Sequence, residues 1–494
     1  MSDTEVRFGF EHSYQRLPER FYARVNPTAV KSPKLLALNR TLALELGLPL
    51  PELERDGAAF FSGNRLAADA SPVALAYAGH QFGQFVPQLG DGRAILLGEV
   101  IDRNGQRRDI QLKGSGPTPF SRRGDGRAAV GPVLREYLVS EAMAALGIPT
   151  TRALAAVSTG ELVYREQVLP GAIVTRVAAS HIRVGTFEYF AARQDWDGIR
   201  ALVDYVIERH YPEIAQAECR YLALLDKVAE KQAALVARWM HVGFVHGVMN
   251  TDNTSISGET IDYGPCAFMD VYDPETVFSS IDRSGRYAFG NQAVIAQWNV
   301  VRLAETLLPL IDSDLTRAVE QAQVVINRMV ERSDFHWING MRRKIGLVSE
   351  ESGDLALVES LLDLMHAASA DYTLTFRALS DVVESPGFEV PEGSVLRDLA
   401  GLERWLPNWR ERLEREVLPN KDRAEAMRRV NPAVIPRNHL VESALNEAMQ
   451  TGELTQFERL LDVLSRPYES RPSGDPFVSP PPLGTGRYRT FCGT

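Results

Sequence analysis

Three groups of residues in this 494-residue chain have types and spacings suited to handling phosphate. Lys113 closes the alternating stretch Arg108-Asp109-Ile110-Gln111-Leu112-Lys113, and Glu136 sits in the predicted helix that follows. Glu136 lies at helical spacing from Val133, Val139 and Ser140, on a largely apolar stripe. A glutamate there either reaches water at the rim of the stripe or is buried and needs a cation, since an unpaired buried charge is very costly. Lys113 is the cation at hand. The second group is His246-Gly247-Val248-Met249-Asn250-Thr251-Asp252-Asn253, followed by Asp262-Tyr263-Gly264. Hard divalent cations take oxygen ligands, commonly one or two carboxylates plus substrate phosphates. Asn253 and Asp262 supply an amide oxygen and a carboxylate. The alternative is that Asn250, Asp252 and Asn253 are turn formers bonded to local backbone. The third group is Gly90-Asp91-Gly92-Arg93 together with Arg122, Arg123, Gly124, Gly126 and Arg127. Backbone N–H groups and guanidinium forks favour anions, although each arginine taken singly is equally well a solvated charge. Arg176 and Arg183 are read as surface charges or as a second phosphate clamp.

The elements that must position these groups are partly legible. A hairpin is predicted over 94–101 and 108–113, with Asn104-Gly105 supplying the two positive-φ positions of a type I′ turn. Its second strand puts Ile110 and Leu112 on one face and Asp109, Gln111 and Lys113 on the other. A helix follows the Gly/Pro/Arg-rich loop, with Pro132 in its first turn, Gly147 past its end and Pro149 blocking continuation. Residues 33–40 onward read as a short helix ended by Gly47-Leu48-Pro49. Strands are expected at 153–157 and 172–177, and helices at 199–209, 220–242, 292–308, 315–332 and 355–368. The Pro-rich stretch from Arg466 onward reads as extended or mobile. A β-rich half followed by a helical half is the α+β order, with its junction near residue 180.

The order matters more than any single group. Glycine loop, strand lysine, helix glutamate, two strands, helices, His…Asn loop and Asp-x-Gly is the order of a protein-kinase-like nucleotide site. One position breaks the pattern. Aligning His246 and Asn253 with the kinase catalytic loop puts Val248 where the base belongs, and valine accepts no proton. The nearest replacement is Asp252.

Composition bounds the remaining choices. A count of 54 basic against 64 acidic residues argues against a general nucleic-acid binder, though not against a local basic groove. Cys219, Cys266 and Cys492 make no disulfide framework, and no C-x-x-C pair suggests structural zinc. The amino end lacks a basic, then apolar, leader, and no uninterrupted run of ~18 apolar residues spans a bilayer. The expectation is a soluble cytoplasmic protein with neither nucleic-acid nor membrane partners.

Long strings then point to a family. Tyr77-Ala78-Gly79-His80-Gln81-Phe82-Gly83, Leu89-Gly90-Asp91-Gly92-Arg93, Leu112-Lys113-Gly114-Ser115-Gly116-Pro117-Thr118-Pro119-Phe120-Ser121-Arg122 and Gly124-Asp125-Gly126-Arg127 are followed by the 246–253 string, Asp262-Tyr263-Gly264-Pro265 and Gly285-Arg286-Tyr287. In these the chain resembles the selenoprotein O family over most of its length. The resemblance implies a kinase-like fold that transfers AMP from ATP to Ser, Thr or Tyr hydroxyls of proteins. It also implies a nucleotide reversed relative to kinases, with the triphosphate tail buried. By that similarity Lys113, supported by Glu136, contacts phosphate, and Arg176 and Arg183 clamp the tail. Gly90, Gly92, Arg93, Asp125 and Gly126 complete the nucleotide pocket. Asn253 and Asp262 bind Mg²⁺ (Mn²⁺ being the alternative), and Asp252 is the candidate base. Cys492 stands where vertebrate members carry selenocysteine; it is read as a thiol able to pair with Cys266, against the blander reading of Cys266 as a small buried hydrophobe.

The division that follows is 1–70 as an amino-terminal extension, 71–180 as a kinase-like N-lobe, 181–310 as a C-lobe with the catalytic loop, 311–465 as a helical extension and 466–494 as a mobile tail. Two alternatives to AMP transfer stay open, a divergent kinase and a non-catalytic nucleotide-binding scaffold. Val248 weighs against the first, and the intact set Lys113, Glu136, Asn253 and Asp262 weighs against the second.

Overall fold

The computed structural model describes residues 5–472, 474–482 and 488–490. Two strands, β1 (Tyr22–Arg24) and β2 (Lys34–Leu38), precede helices α1 (Arg40–Glu45) and α2 (Leu50–Phe61). Then come β3 (Val73–Leu75), the short hairpin β4 (Gly79–Gln81) and β5 (Gln84–Val86), and the long hairpin β6 (Ala94–Ile101) and β7 (Arg107–Lys113). Strand β8 (Ala128–Ala129) leads into α3 (Val130–Ala145), which is followed by β9 (Arg152–Tyr164) and β10 (Val168–Ala178). The main sheet is antiparallel in the order β1-β3-β6-β7-β10-β9-β2, with β8 paired to β10. The fold is thus α+β, and both edge strands come from the first 38 residues.

The sheet is buried on both faces, so the polar side chains of its central strands, Gln111, Lys113 and Arg176 among them, must find partners inside the protein. On one face Ile110, Leu112, Leu154, Val157, Ile173 and Val177 pack against Phe60 and Phe61 of α2. On the other, Ala153, Ala156, Ala172 and Val174 leave room for Leu134, Tyr137 and Leu138 of α3. Lys113, Gln111 and Arg176 belong to this second face, Arg176 directly opposite Gln111 and Val174 opposite Lys113.

After β10 the chain is helical: α4 (Val184–Ala191), α5 (Trp196–His210), α6 (Arg220–His241) and, beyond the two-residue strands β11 (Phe244–Val245) and β12 (Ala267–Phe268), α7 (Gln292–Ile311) and α8 (Leu315–Lys344). Helices α9 (Asp354–Ala367), α10 (Tyr372–Glu384), α11 (Leu402–Glu414) and α12 (Asn420–Arg428) form a separate core around Phe376, Trp405 and Trp409. The last two, α13 (Asn438–Thr451) and α14 (Thr455–Leu464), return to the sheet, where Leu445, Phe457 and Leu460 pack in the core that holds α3. The amino-terminal residues fasten the two halves together. Tyr14 meets Tyr205 edge to face at 5.7 Å, Phe21 meets Phe190 at 3.9 Å, and Arg20 pairs with Asp195. Beneath them Arg209 of α5 reaches Asp109 and, at 3.6 Å, Glu99, both buried acids of the sheet.

Three local expectations are corrected. Residues 34–38 are the edge strand β2, Leu35 opposite Val157 and Leu38 opposite Ala155, and the helix starts only after Asn39 caps it by accepting from the Leu42 N–H at 3.0 Å. A short apolar run does not separate strand from helix by periodicity, and here an open sheet edge decides. The hairpin turn is not type I′, because only Gly105 (φ 75°) is left-handed. Asp102 stabilises it by accepting from the Asn104 and Gln106 N–H groups, and the Gly105 N–H donates to its carbonyl. Such a longer turn ending in a left-handed glycine is the other common way to close a hairpin. Third, the tail is packed where described: Phe477 and Val478 join the core around α3, the Tyr488 hydroxyl meets Arg135 and Glu442, and Thr490 hydrogen-bonds with Phe278 and Ser280. The helical stretch Phe289–Ile311, which ends in α7, is by length and composition apolar enough to cross a membrane, although Arg302 and Glu305 interrupt its apolar run. In this fold its Ile295, Val300, Leu303 and Leu307 are buried against α6 and α8.

Candidate functional site

The elements converge on a cleft of about 440 Å³ lined by Gly90–Ala94 of the glycine loop, Lys113 of β7, Arg176 of β10, Arg183, and Asp252 and Asp262 of the loop segment between α6 and α7. At its floor two cations and two carboxylates close a ring. Lys113 Nζ lies 2.8 Å from Glu136 and 2.6 Å from Asp262 Oδ1. Arg176 bridges the same two acids from the neighbouring strand. Arg183 Nη1 approaches Asp262 Oδ2 at 3.7 Å and Nη2 approaches Asp91 Oδ1 at 3.8 Å, while its guanidinium covers the Tyr77 ring at 4.4 Å. Glu136 is therefore the buried, paired residue, not a rim glutamate. Burial alone would raise the Asp262 carboxyl, but Lys113, Arg176 and Arg183 outweigh it and hold the group well below the usual carboxylate range. Glu136 is shifted down in the same way, burial being overcome by Arg176 and Lys113.

Asp252 faces the same cleft in a different state. It is 8% exposed, its Oδ1 has no hydrogen-bond partner, and the Gln81 amide reaches Oδ2 at 3.5 Å. Burial pushes its carboxyl up to about 7; Arg183 opposes that rise and Asp262 adds to it. Two carboxylates in one cleft thus have opposite tendencies, one firmly ionised and one ready to take a proton, a pairing characteristic of acid–base sites.

His246, Val248 and Asn250 prove structural. The His246 ring stacks on Trp239 at 5.4 Å, places Nε2 2.9 Å from the Ile261 carbonyl, and accepts at Nδ1 from the Val248 N–H. Burial lowers its basicity, which keeps it neutral. Asn250 accepts from the Tyr287 hydroxyl and from the Phe82 N–H. Asn253 instead donates its amide N–H to the Val248 carbonyl at 3.1 Å, which leaves the amide oxygen as the donor for a ligand. That oxygen and the Asp262 carboxylate match the chemistry of a hard cation's donor set, completed by phosphate oxygens. Among the described residues no cluster of three or more His, Cys, Asp or Glu could hold a metal on protein ligands alone.

The glycine loop has a packing logic. At Gly90 (φ 67°) a Cβ would come within 2.4 Å of the Phe120 ring, and at Gly126 (φ 66°) within 2.0 Å of the Gly116 carbonyl. Arg93 and Arg122 line the cleft, Arg122 and Arg123 both with positive φ, whereas Arg127 is partly committed to Glu161 and to the carbonyls of Thr28 and Ala29. Asp125 sits at the exposed lip and holds Arg165 through two 2.9 Å bonds. Cys266 is buried in the helical core, and its expected partner Cys492 lies outside the described residues. Sequence reading gave no role to Asp91, Tyr77, Gln81, His80 or Glu188. Asp91 had a signal in its Gly-Asp-Gly-Arg setting; the others show their place only once distant segments meet. A larger cavity of about 540 Å³, beneath Tyr272, Phe278, His366 and Tyr488, has none of these converging cations.

The family model described as protein adenylyltransferase SelO matches residues 5–465. Among curated relatives, the protein nucleotidyltransferase YdiU of Rhizobium etli (strain CIAT 652) is 62% identical over 487 residues, covering 99% of this chain and 97% of the relative. The protein of the same name from Rhizobium meliloti (strain 1021) is 62% identical over 487 residues, 99% of each chain. That from Bradyrhizobium sp. (strain BTAi1 / ATCC BAA-1182) is 59% identical over 491 residues, 99% of this chain and all of the relative.

Proposed function

The chain belongs to the SelO family and is a protein adenylyltransferase using ATP, and we propose that its cleft joins AMP to Ser, Thr or Tyr hydroxyls of proteins from a nucleotide bound tail-inward. The observation that carries this reading is the buried ring of Lys113, Glu136, Arg176 and Asp262, with Arg183 beside it. Three buried cations at the floor suit the β- and γ-phosphates. The α-phosphate then points outward, along the walls made by Gly90, Gly92, Arg93, Asp125 and Gly126 and toward Asp252. The hydroxyl oxygen bonds to the α-phosphorus, the bond from that phosphorus to the β-phosphate oxygen breaks, and pyrophosphate leaves. The hydroxyl proton passes to Asp252, whose desolvated carboxylate is a stronger base than one in water. Asn253 and Asp262 would hold Mg²⁺, or Mn²⁺ in its place, and when bound it neutralises phosphate charge.

The same features support a two-lobed kinase-like arrangement, because a strand lysine held by a helix glutamate and an Asn…Asp-x-Gly pair occur in the kinase order. The division at residues 70, 180, 310 and 465 into extension, N-lobe, C-lobe, helical extension and tail accompanies this reading, with β1 and β2 of the extension closing the edges of the N-lobe sheet. A cytoplasmic location accompanies the reading, since ATP is abundant there.

ATP labelled on the α- or the γ-phosphate tests it. Stable α-label on protein is expected, γ-label alone would mark a kinase, and neither would mark a scaffold. Asp262→Ala should abolish transfer, and full activity in that variant would remove the metal assignment. Asp252→Asn should slow transfer at least tenfold, and a wild-type rate would remove Asp252 as the base.

A further inference from the structure

The string Tyr77–Gly83 holds none of the groups assigned above to phosphate, metal or proton transfer, yet it forms the roof over Asp252. Strand β4 lies so close that a Cβ on Gly79 would come 2.6 Å from Asp252 Oδ1. From the opposite side α4 approaches equally closely: a Cβ on Gly185 would come 2.1 Å from the Ala78 carbonyl and 3.4 Å from the Asp252 Cα. Neither glycine has positive φ, so contact, not backbone conformation, calls for a hydrogen side chain. One carboxylate ties these three layers together. Glu188 of α4, 4% exposed, receives the Thr251 hydroxyl on one oxygen and meets His80 Nδ1 with the other. Thr251 in turn accepts from the His80 backbone N–H at 2.7 Å. The His80 ring is itself fixed between Phe85 and Trp298, at 5.0 and 5.3 Å.

We infer that Glu188 is a positioning residue for AMP transfer: through Thr251 and His80 it fixes the loop that carries Asp252 and the strand that carries Gln81 in one register. Thr251 precedes Asp252 directly, and Gln81, which follows His80, is the side chain that reaches the Asp252 carboxylate. Displacement of either segment moves the carboxylate relative to the reacting hydroxyl, while Lys113 and Arg176 stay fixed on β7 and β10 by Glu136 and Asp262; only Arg183, which donates to the Asp252 carbonyl at 2.8 Å, is shared between the two. The inference rests on the reading of Asp252 as the base.

The test compares Glu188→Ala, Thr251→Val and Thr251→Ser with wild type. Self-labelling and labelling of casein by α-labelled ATP are followed at saturating and sub-saturating ATP, and Mg·ATP binding is measured by calorimetry. Glu188→Ala and Thr251→Val should lower the saturated rate roughly 10- to 100-fold, leave ATP half-saturation and binding within about twofold, and Thr251→Ser should restore most of the rate. A wild-type rate in Glu188→Ala and Thr251→Val overturns the inference. So does a Thr251→Ser variant as slow as Thr251→Val, or loss of ATP binding together with a collapsed melting transition, since Glu188 would then serve only the fold. Asp252→Asn, run alongside, separates the two readings. If it is slow while Glu188→Ala is not, only the positioning role fails; if it runs at the wild-type rate, the base assignment has failed first.

Discussion

Each oxygen of Glu136 meets one cation, Lys113 on one side and Arg176 on the other, and both cations go on to the same oxygen of Asp262. The arrangement makes Glu136 more than a support for one lysine. Glu136→Gln keeps the shape but removes the charge facing two buried cations, and breaking a buried pair by removing one partner costs about 3–5 kcal/mol. A lower urea midpoint and weaker ATP binding are expected, and an unchanged midpoint would refute the ring as a stabilising unit. The reading from sequence identified the Lys113–Glu136 pair because a strand and a capped helix place them in sequence order. It did not place Arg176 in the same ring, since a lone arginine at a strand end has the same signature whether it faces water or a carboxylate.

Strand β4 and helix α4 contribute backbone proximity to the site. Gly79→Ala puts a methyl group 2.6 Å from Asp252 Oδ1, whereas Gly105→Ala, in the β6–β7 turn, meets nothing within 4 Å and only strains a left-handed residue. The first is expected to lower AMP transfer more than tenfold, by displacing the Asp252 carboxylate. The second should cost about 1–2 kcal/mol of stability and leave the rate unchanged. Rates and melting points of both variants check this; equal rates would mean that β4 does not confine Asp252. Elements with full punctuation were legible, as with α3 between Pro132 and Gly147. Strand β2 was not, because five apolar-rich residues take the conformation that the open edge of β9 offers.

Across the whole molecule, burial sets charges as well as positions. Lys344, at the end of α8 in the helical region beyond the cleft, is 2% exposed and lies over the rings of Phe376 and Tyr372 at 4.2 and 5.2 Å. Burial pushes its amine down to about 7. The unfolded chain, with a lysine near ~10.4, therefore binds more protons than the folded one between these values. Stability gains from this group as pH rises from about 7 toward 10, at no more than ~1.4 kcal/mol per unit, and the destabilising charge is fully present below that window. Lys344→Met should raise the melting temperature at pH 6–7 and flatten its rise toward pH 9; a variant with the wild-type slope would show that Lys344 does not carry it. What the sequence by itself determined was the α+β class, the strand lysine and the helix glutamate, because these depend on residue types at short spacing. Only the tertiary structure decided that Arg176 joins the ring, that the Asp252 and Asp262 carboxylates lean in opposite directions, and that Glu188 and His80 hold the roof of the site. Those properties arise from burial and from segments as far apart as His80 and Thr251 meeting at hydrogen-bond distance, and no local pattern encodes either.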